Sequence, residues 1–287
     1  MAVGVPDVLA DGFGLIEGPR WHQGQLWISD FSGRKVHRID EDGAVADFAS
    51  VAGRPSGLGF RPDGTVLVSV MQSREVIAIS PESGEMTQVA DLTDLVVGLC
   101  TDMLVDQNGR CYVGGMGFDL YRGDRPAPGN VVLVDENDKA RVVATDMLVP
   151  NGTVIDSHNR LIIAETNRSQ LTGFTIADDG SLAQRHVFAD LADLAPDGIC
   201  IDVNDGIWAG AVFAEQFVYI EPSGRVSQRI SIPGRWAVAC ALGGADMRTL
   251  FLLTAETTMR EMRHDQARGR VEAVRVDVPG IVQSPRA

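Results

Sequence analysis

Positive charge is scarce in this sequence. Lys and Arg number 25 against 39 Asp and Glu, a formal net charge of −14 over 287 residues. Nucleic acids and anionic membranes are held by basic patches, so neither is an expected partner. Long apolar runs are also missing. No window holds the roughly 18 uninterrupted apolar residues that a membrane-crossing helix needs. Met1 to Asp11 contains no basic segment followed by an apolar stretch, so no secretory signal is expected. Cysteine is limited to Cys100, Cys111, Cys200 and Cys240, with no C-x-x-C pair. Each lies in an apolar, strand-like context, as reduced structural cysteines do, and a cytoplasmic protein without disulfides is expected. No Ser stands in a G-x-S-x-G elbow, and no Gly-rich loop opens a helix to cradle phosphate. A small molecule is the partner class left.

What the chain does have is a repeat. Glu17 in Glu17-Gly18-Pro19-Arg20-Trp21 is followed ten residues on by Trp27, inside Leu26-Trp27-Ile28. The same step leads from Ser56 to Val66, Thr101 to Cys111, Asn151 to Leu161, and Asp197 to Ile207. Turn sequences lie between, among them Pro62-Asp63-Gly64 and Asn204-Asp205-Gly206. A looser sixth copy runs from Trp236 to Thr254. The first five starts are 39, 45, 50 and 46 residues apart. Two further strands follow in each unit, such as Lys35–Ile39 and Ala44–Phe48 around Glu41-Asp42-Gly43. A period of about 40–50 residues with four short strands is the pattern of propeller blades. The expectation is an all-β, six-bladed β-propeller spanning 1–287 as one domain, with four antiparallel strands per blade. Asp7–Ala10 would close the ring as the outer strand of the last blade, leaving no free seam. Residues 270–276 would be that blade's third strand, and 257–268 a polar loop or short helix.

In a propeller the innermost strands line the central channel. The register therefore puts Glu17, Ser56, Thr101, Asn151 and Asp197 around one axis. Two carboxylates and an amide at one repeat-equivalent position are hard oxygen donors. Such a set suits one divalent cation: Ca²⁺ first, with Mg²⁺, Mn²⁺, Zn²⁺ or Fe²⁺ as further candidates. Pro-Asn-Gly and Pro-Asp-Gly are also ordinary turn sequences. Glu17 has no such use in a turn. None of the five histidines stands at a Glu17-equivalent position, so a His-based site is not expected.

The order Glu-Gly-Pro-x-Trp, Leu-Trp-x-x-Asp, Pro-Asn-Gly, Pro-Asp-Gly and Gly243-Gly244-Ala245-Asp246 resembles the SMP-30/gluconolactonase/luciferin-regenerating-enzyme family, also called regucalcin-like proteins. The resemblance covers essentially the whole chain. It implies a six-bladed propeller holding one divalent metal on Glu17, Asn151 and Asp197. It also implies a metal-dependent lactonase in which Asp197 serves as both ligand and general acid/base. Blade 3 departs from the sugar-lactonase pattern Arg-x-Asn-Asp-Gly. Here Leu99 stands at the Arg position and Thr101 at the Asn position. A further substrate contact of the family falls near Asp119. The departure implies a cyclic ester less polar than a sugar lactone, with Leu99, Thr101, Asp119, Phe118 and Trp236 as substrate-contact candidates. Phe31, Met71 and Met116 are further candidate wall residues. The alternatives are a non-catalytic metal- or ligand-binding propeller, or another metal-assisted reaction (esterase, lyase or isomerase) in the same cradle.

Overall fold

The structure is a computed structural model and describes residues 4–281. A first strand, β1 (Asp7–Phe13), precedes five sheets that each follow the chain. Blade 1 is β2 (Ile16–His22), β3 (Gln25–Asp30), β4 (Lys35–Ile39) and β5 (Val45–Ser50). Blade 2 is β6 (Pro55–Phe60), β7 (Val66–Val70), β8 (Glu75–Ile79) and β9 (Met86–Asp91). Blade 3 is β10 (Cys100–Val105), β11 (Cys111–Gly115), β12 (Gly129–Val134) and β13 (Ala140–Met147). Blade 4 is β14 (Pro150–Ile155), β15 (Arg160–Glu165), β16 (Gln170–Ile176) and β17 (Leu182–Asp190). Blade 5 is β18 (Pro196–Ile201), β19 (Ile207–Ala211), β20 (Gln216–Ile220) and β21 (Val226–Ser231). Blade 6 is β22 (Trp236–Gly243), β23 (Thr249–Glu256), β24 (Arg268–Arg275) and, returning from the start of the chain, β1.

All six sheets are antiparallel and four-stranded, giving a six-bladed propeller. β1 pairs with β24 from Asp7↔Ala273 to Phe13↔Gly269, so the ring closes through the two ends of the chain. The expected closing strand is longer by three residues, and the third strand of blade 6 lies at 268–275. Residues 257–268 carry a one-turn helix, α1 (Met259–Arg263), whose Thr258 hydroxyl accepts from Glu261 N. No helix among the described residues is long and apolar enough to cross a membrane.

Burial follows distance from the axis. Every residue of β6 and β10 is buried, whereas β5 has none fully buried. Apolar side chains fill the wedges between blades. Trp27 and Val36 of blade 1 pack with Phe60 and Val66 of blade 2, and Tyr112 and Leu133 of blade 3 pack with Leu161 and Phe174 of blade 4. Near the axis there is no room for side chains between neighbouring inner strands. A Cβ on Gly57 would stand 2.2 Å from Met103 N, and one on Gly152 would stand 2.4 Å from Ile199 N. Glycine at those positions is therefore what lets adjacent blades close up.

The innermost strands share one irregularity. Pairing with the second strand is interrupted at Glu17/Arg20, Pro55/Leu58, Cys100/Met103, Pro150/Thr153, Pro196/Ile199 and Ala237/Ala239. An interruption of this kind bends the strand and re-aims its side chains. Glu17, Ser56, Thr101, Asn151 and Asp197 all stand at it.

Candidate active site

The interruptions surround one end of the axis, where a cavity of about 320 Å³ opens. Glu17, Asn151 and Asp197 all line it, from blades 1, 4 and 5. So do Phe31, Met71, Met116, Phe118 and Trp236 of the expected wall. Leu120, Tyr121, Val149, Phe213 and Met262 extend that apolar surface.

Three expected contacts lie elsewhere. Leu99 is buried behind the wall, in a cluster with Met71, Met116, Phe118 and Val149. Thr101 is buried, and its hydroxyl donates to Pro150 O at 2.5 Å. Asp119 folds back on its own turn, where it accepts from Tyr121 N at 2.8 Å and pairs with Arg122. None of the three lines the cavity. The physical reason is local in each case. Leu99 has apolar neighbours to join, Thr101 has an open carbonyl within reach, and Asp119 caps a turn.

Thr101 belongs to a set of hydroxyl links that tie one blade to the next around the mouth. Ser56 Oγ donates to Glu17 Oε2 at 2.7 Å, joining blades 1 and 2. Ser69 Oγ donates to Thr101 O at 2.7 Å, joining blades 2 and 3. Thr101 joins blades 3 and 4, and Thr166 Oγ1 donates to Pro196 O at 2.8 Å, joining blades 4 and 5. Each bond ends on, or beside, a residue at the interruption. Ser56 was legible as a repeat position. Thr166 carried no sequence signal, because its partner is 30 residues away in another blade.

The acidic groups crowd one another. Burial raises the Glu17 carboxyl to about 7, opposed by the Ser56 hydrogen bond and helped by the Asp102 charge. Asp197 is raised well above the usual carboxylate range by burial first, then by Glu17 and Asp102. Asp102 itself is held by Arg20 Nη2 at 3.0 Å, so that guanidinium is already engaged. No hydrogen-bond donor among the described residues reaches the Asp197 carboxyl. Asn151 Nδ2 makes one long contact, 3.4 Å to Thr166 Oγ1, which leaves its carbonyl oxygen open. Two mutually repelling carboxyls plus an open amide oxygen lack a positive partner. This donor set fits a hard divalent cation. Among the described residues no three His, Cys, Asp or Glu side chains cluster to hold a metal, so any such ion would depend on the Asn151 amide.

Two loops roof the cavity. One follows β11 and carries Phe118, Leu120 and Tyr121; the other carries α1. They meet where the Tyr121 hydroxyl donates to Met262 Sδ at 3.6 Å. Arg54, buried at the start of blade 2, forms an ion pair with Asp265 just after α1. Its guanidinium also lies 4.6 Å from the Tyr121 ring centroid and 5.5 Å from that of Phe31. This junction joins residues 211 apart in sequence, and nothing in the sequence pattern announced it.

A closed six-bladed propeller with a carboxylate–amide set at one mouth of its axis defines the class. Residues 15–256 match the family described as SMP-30/Gluconolactonase/LRE-like region, and the chain belongs to that family. It is 25% identical over 278 residues to a 6-deoxy-6-sulfogluconolactonase of Pseudomonas putida, covering 94% of each chain. It is 24% identical over 248 residues to the pentonolactonase XacC of Haloferax volcanii, covering 84% of this chain and 81% of that one. The crystal structure of a calcium-binding regucalcin from Agrobacterium tumefaciens superposes with a TM-score of 0.83 at 18% identity, over 100% of this chain and 98% of that one.

Proposed function

We propose that the protein is a divalent-metal-dependent lactonase acting on a small cyclic ester less polar than a sugar lactone. One observation carries the reading: Glu17, Asn151 and Asp197, from three blades, share one cavity and lack a cationic partner. Relatives named as lactonases support the reaction class. The apolar wall, with Phe31, Phe118, Trp236 and four methionines, supports the substrate's lower polarity. A sugar's hydroxyls would find few polar partners along it.

The residues divide the work. Glu17, Asn151 and Asp197 hold the ion, which when bound supplies Lewis-acid polarisation of the ester carbonyl. Ser56 fixes the orientation of Glu17 through its 2.7 Å hydrogen bond. Asp197 takes the proton of the attacking water and returns it to the leaving alkoxide as the ring opens. The roof and wall hold the ester against the floor of the cavity and keep bulk water out of the mouth. Balance is simple: water adds across the C–O bond, and one hydroxy acid results.

The test is a chelator-stripped, metal-refilled enzyme screened on sugar, alkyl and aryl lactones. Turnover should need the metal, favour alkyl or aryl lactones, and be lost in Asp197→Asn with the melting curve still cooperative. Metal-independent turnover would refute the mechanism. Preference for a sugar lactone would refute the substrate class, and binding without turnover would favour a non-catalytic propeller.

A further inference from the structure

The cavity contains an unused positive charge. Among the described residues lining it, Arg263 is the one Lys, Arg or His. It is the last residue of α1, in the roof. Backbone on both sides of it is anchored. Met262 is buried and receives the Tyr121 hydroxyl, and Asp265 is tied to the buried Arg54. Arg263 itself is exposed and makes no hydrogen bond or ion pair among the described residues. Its neighbours behave differently: Arg54 is spent on Asp265, and Arg20 on Asp102. Asp124 is the acidic lining residue away from the floor, and its carboxylate already accepts from Asp119 N at 3.1 Å.

From this juxtaposition we infer that Arg263 reads an anionic substituent on the far end of the substrate. The inference rests on the proposed function for the ester end. It adds that the other end, separated by an apolar body, carries a carboxylate or a comparable oxyanion. The chemistry of the cavity is ordered that way. The floor holds the ester-binding groups, the wall is apolar, and the roof holds one guanidinium on an anchored turn. Guanidinium binds planar oxyanions through paired N–H donors, which gives orientation as well as attraction. In a chain of net charge −14 an anionic ligand is repelled at long range. A cation at the mouth offsets this locally.

The experiment uses a matched pair of γ-lactones, one bearing a 4-carboxyphenyl group and the other its methyl ester. The corresponding lactams, which resist hydrolysis, serve for calorimetric binding. Wild type should favour the carboxylate by about five- to tenfold in kcat/KM through KM, and in lactam affinity, at low salt. Arg263→Gln should bring both ratios near one, Arg263→Lys should restore part of them, and Arg260→Gln, on the same helix away from the cavity, should leave them. Raising ionic strength should shrink the wild-type preference. Equal use of both lactones with equal lactam binding would overturn the anion subsite and leave the lactonase reading standing. Arg263-dependent lactam binding without hydrolysis of either lactone would do the reverse. An equal loss of kcat on both lactones in Arg263→Gln would overturn the subsite in favour of a role at the ester itself.

Discussion

Glu165 should be among the most costly single residues to remove from this fold. It ends β15, is completely buried, and gathers partners from the connection before blade 4 and from that blade's third and fourth strands. Its Oε2 accepts from Leu148 N at 2.7 Å. Its Oε1 accepts from Thr172 Oγ1 at 2.5 Å and Arg185 Nη2 at 2.9 Å, and Arg168 lies 3.4 Å from Oε2. The two arginines are partly exposed and can turn to water, so they add little to the penalty. The Leu148 N–H and the buried Thr172 hydroxyl cannot. Each orphaned group costs about 1–3 kcal/mol. Glu165→Gln keeps the shape but turns an NH₂ toward one of them, for about 1–3 kcal/mol. Glu165→Ala loses both and leaves a void, for about 3–5 kcal/mol. The same turn delivers Asn151, with Val149 at φ 57° immediately before Pro150, so divalent-cation affinity should fall along with stability. Urea unfolding at fixed pH measures the first effect, and calorimetric titration of Glu165→Gln with Ca²⁺ the second. The exposed Lys35–Asp47 pair is the control, and Lys35→Ala, which leaves the Asp47 contact to His37 in place, should cost under about 1 kcal/mol. Glu165→Ala within about 1 kcal/mol of wild type would refute the reasoning.

Three other outcomes are expected. Thr101→Val should lower stability by about 1–2 kcal/mol, by orphaning Pro150 O, without reordering the lactone preferences; a reordering would return Thr101 to the substrate. Chelator-treated protein should lose stability as pH rises from about 4.5 to about 7. Over that range the unfolded chain has released the Glu17 proton and the folded chain still holds it, and Ca²⁺ should restore the loss; a flat profile by thermal melting would contradict this. The Cys200 and Cys240 sulfurs sit 3.5 Å apart between blades 5 and 6, so a disulfide should join these two and spare Cys100 and Cys111, and with peroxide it should form slowly because burial keeps the Cys200 thiol protonated. Peptide mapping after alkylation would expose a different pairing.

The sequence pattern carried the repeat, because a blade is a local unit and its strands and Gly turns follow one another within about 45 residues. It carried Glu17, Asn151 and Asp197 for the same reason, as each occupies the same place in its own blade. The closing strand was legible from the strand count. What lay beyond reach was contact between blades. Thr101 resembled a substrate contact by position, but its hydroxyl is consumed by a carbonyl of blade 4. The roof depends on Arg54 meeting Asp265, and α1 is too short for any helical periodicity to show. The pairing interruption also has no residue signature, since it recurs at Glu-Gly-Pro, Pro-Ser-Gly and Cys-Thr-Asp alike.

That interruption has a consequence for how such a molecule can change. A residue excused from strand pairing has no duty in the ladder, though Ser56 and Thr101 still tie neighbouring blades through their hydroxyls. Exchange there leaves the ladder on either side in place, and at Asn151 and Asp197 the side chain lines the cavity. Six such interruptions ring one mouth, and the residues at or beside them include Glu17, Ser56, Thr101, Asn151, Asp197 and Val238. The scaffold therefore behaves like a fixed frame with six interchangeable sockets. New chemistry at the centre requires turning over a handful of positions, and the frame stays as it was.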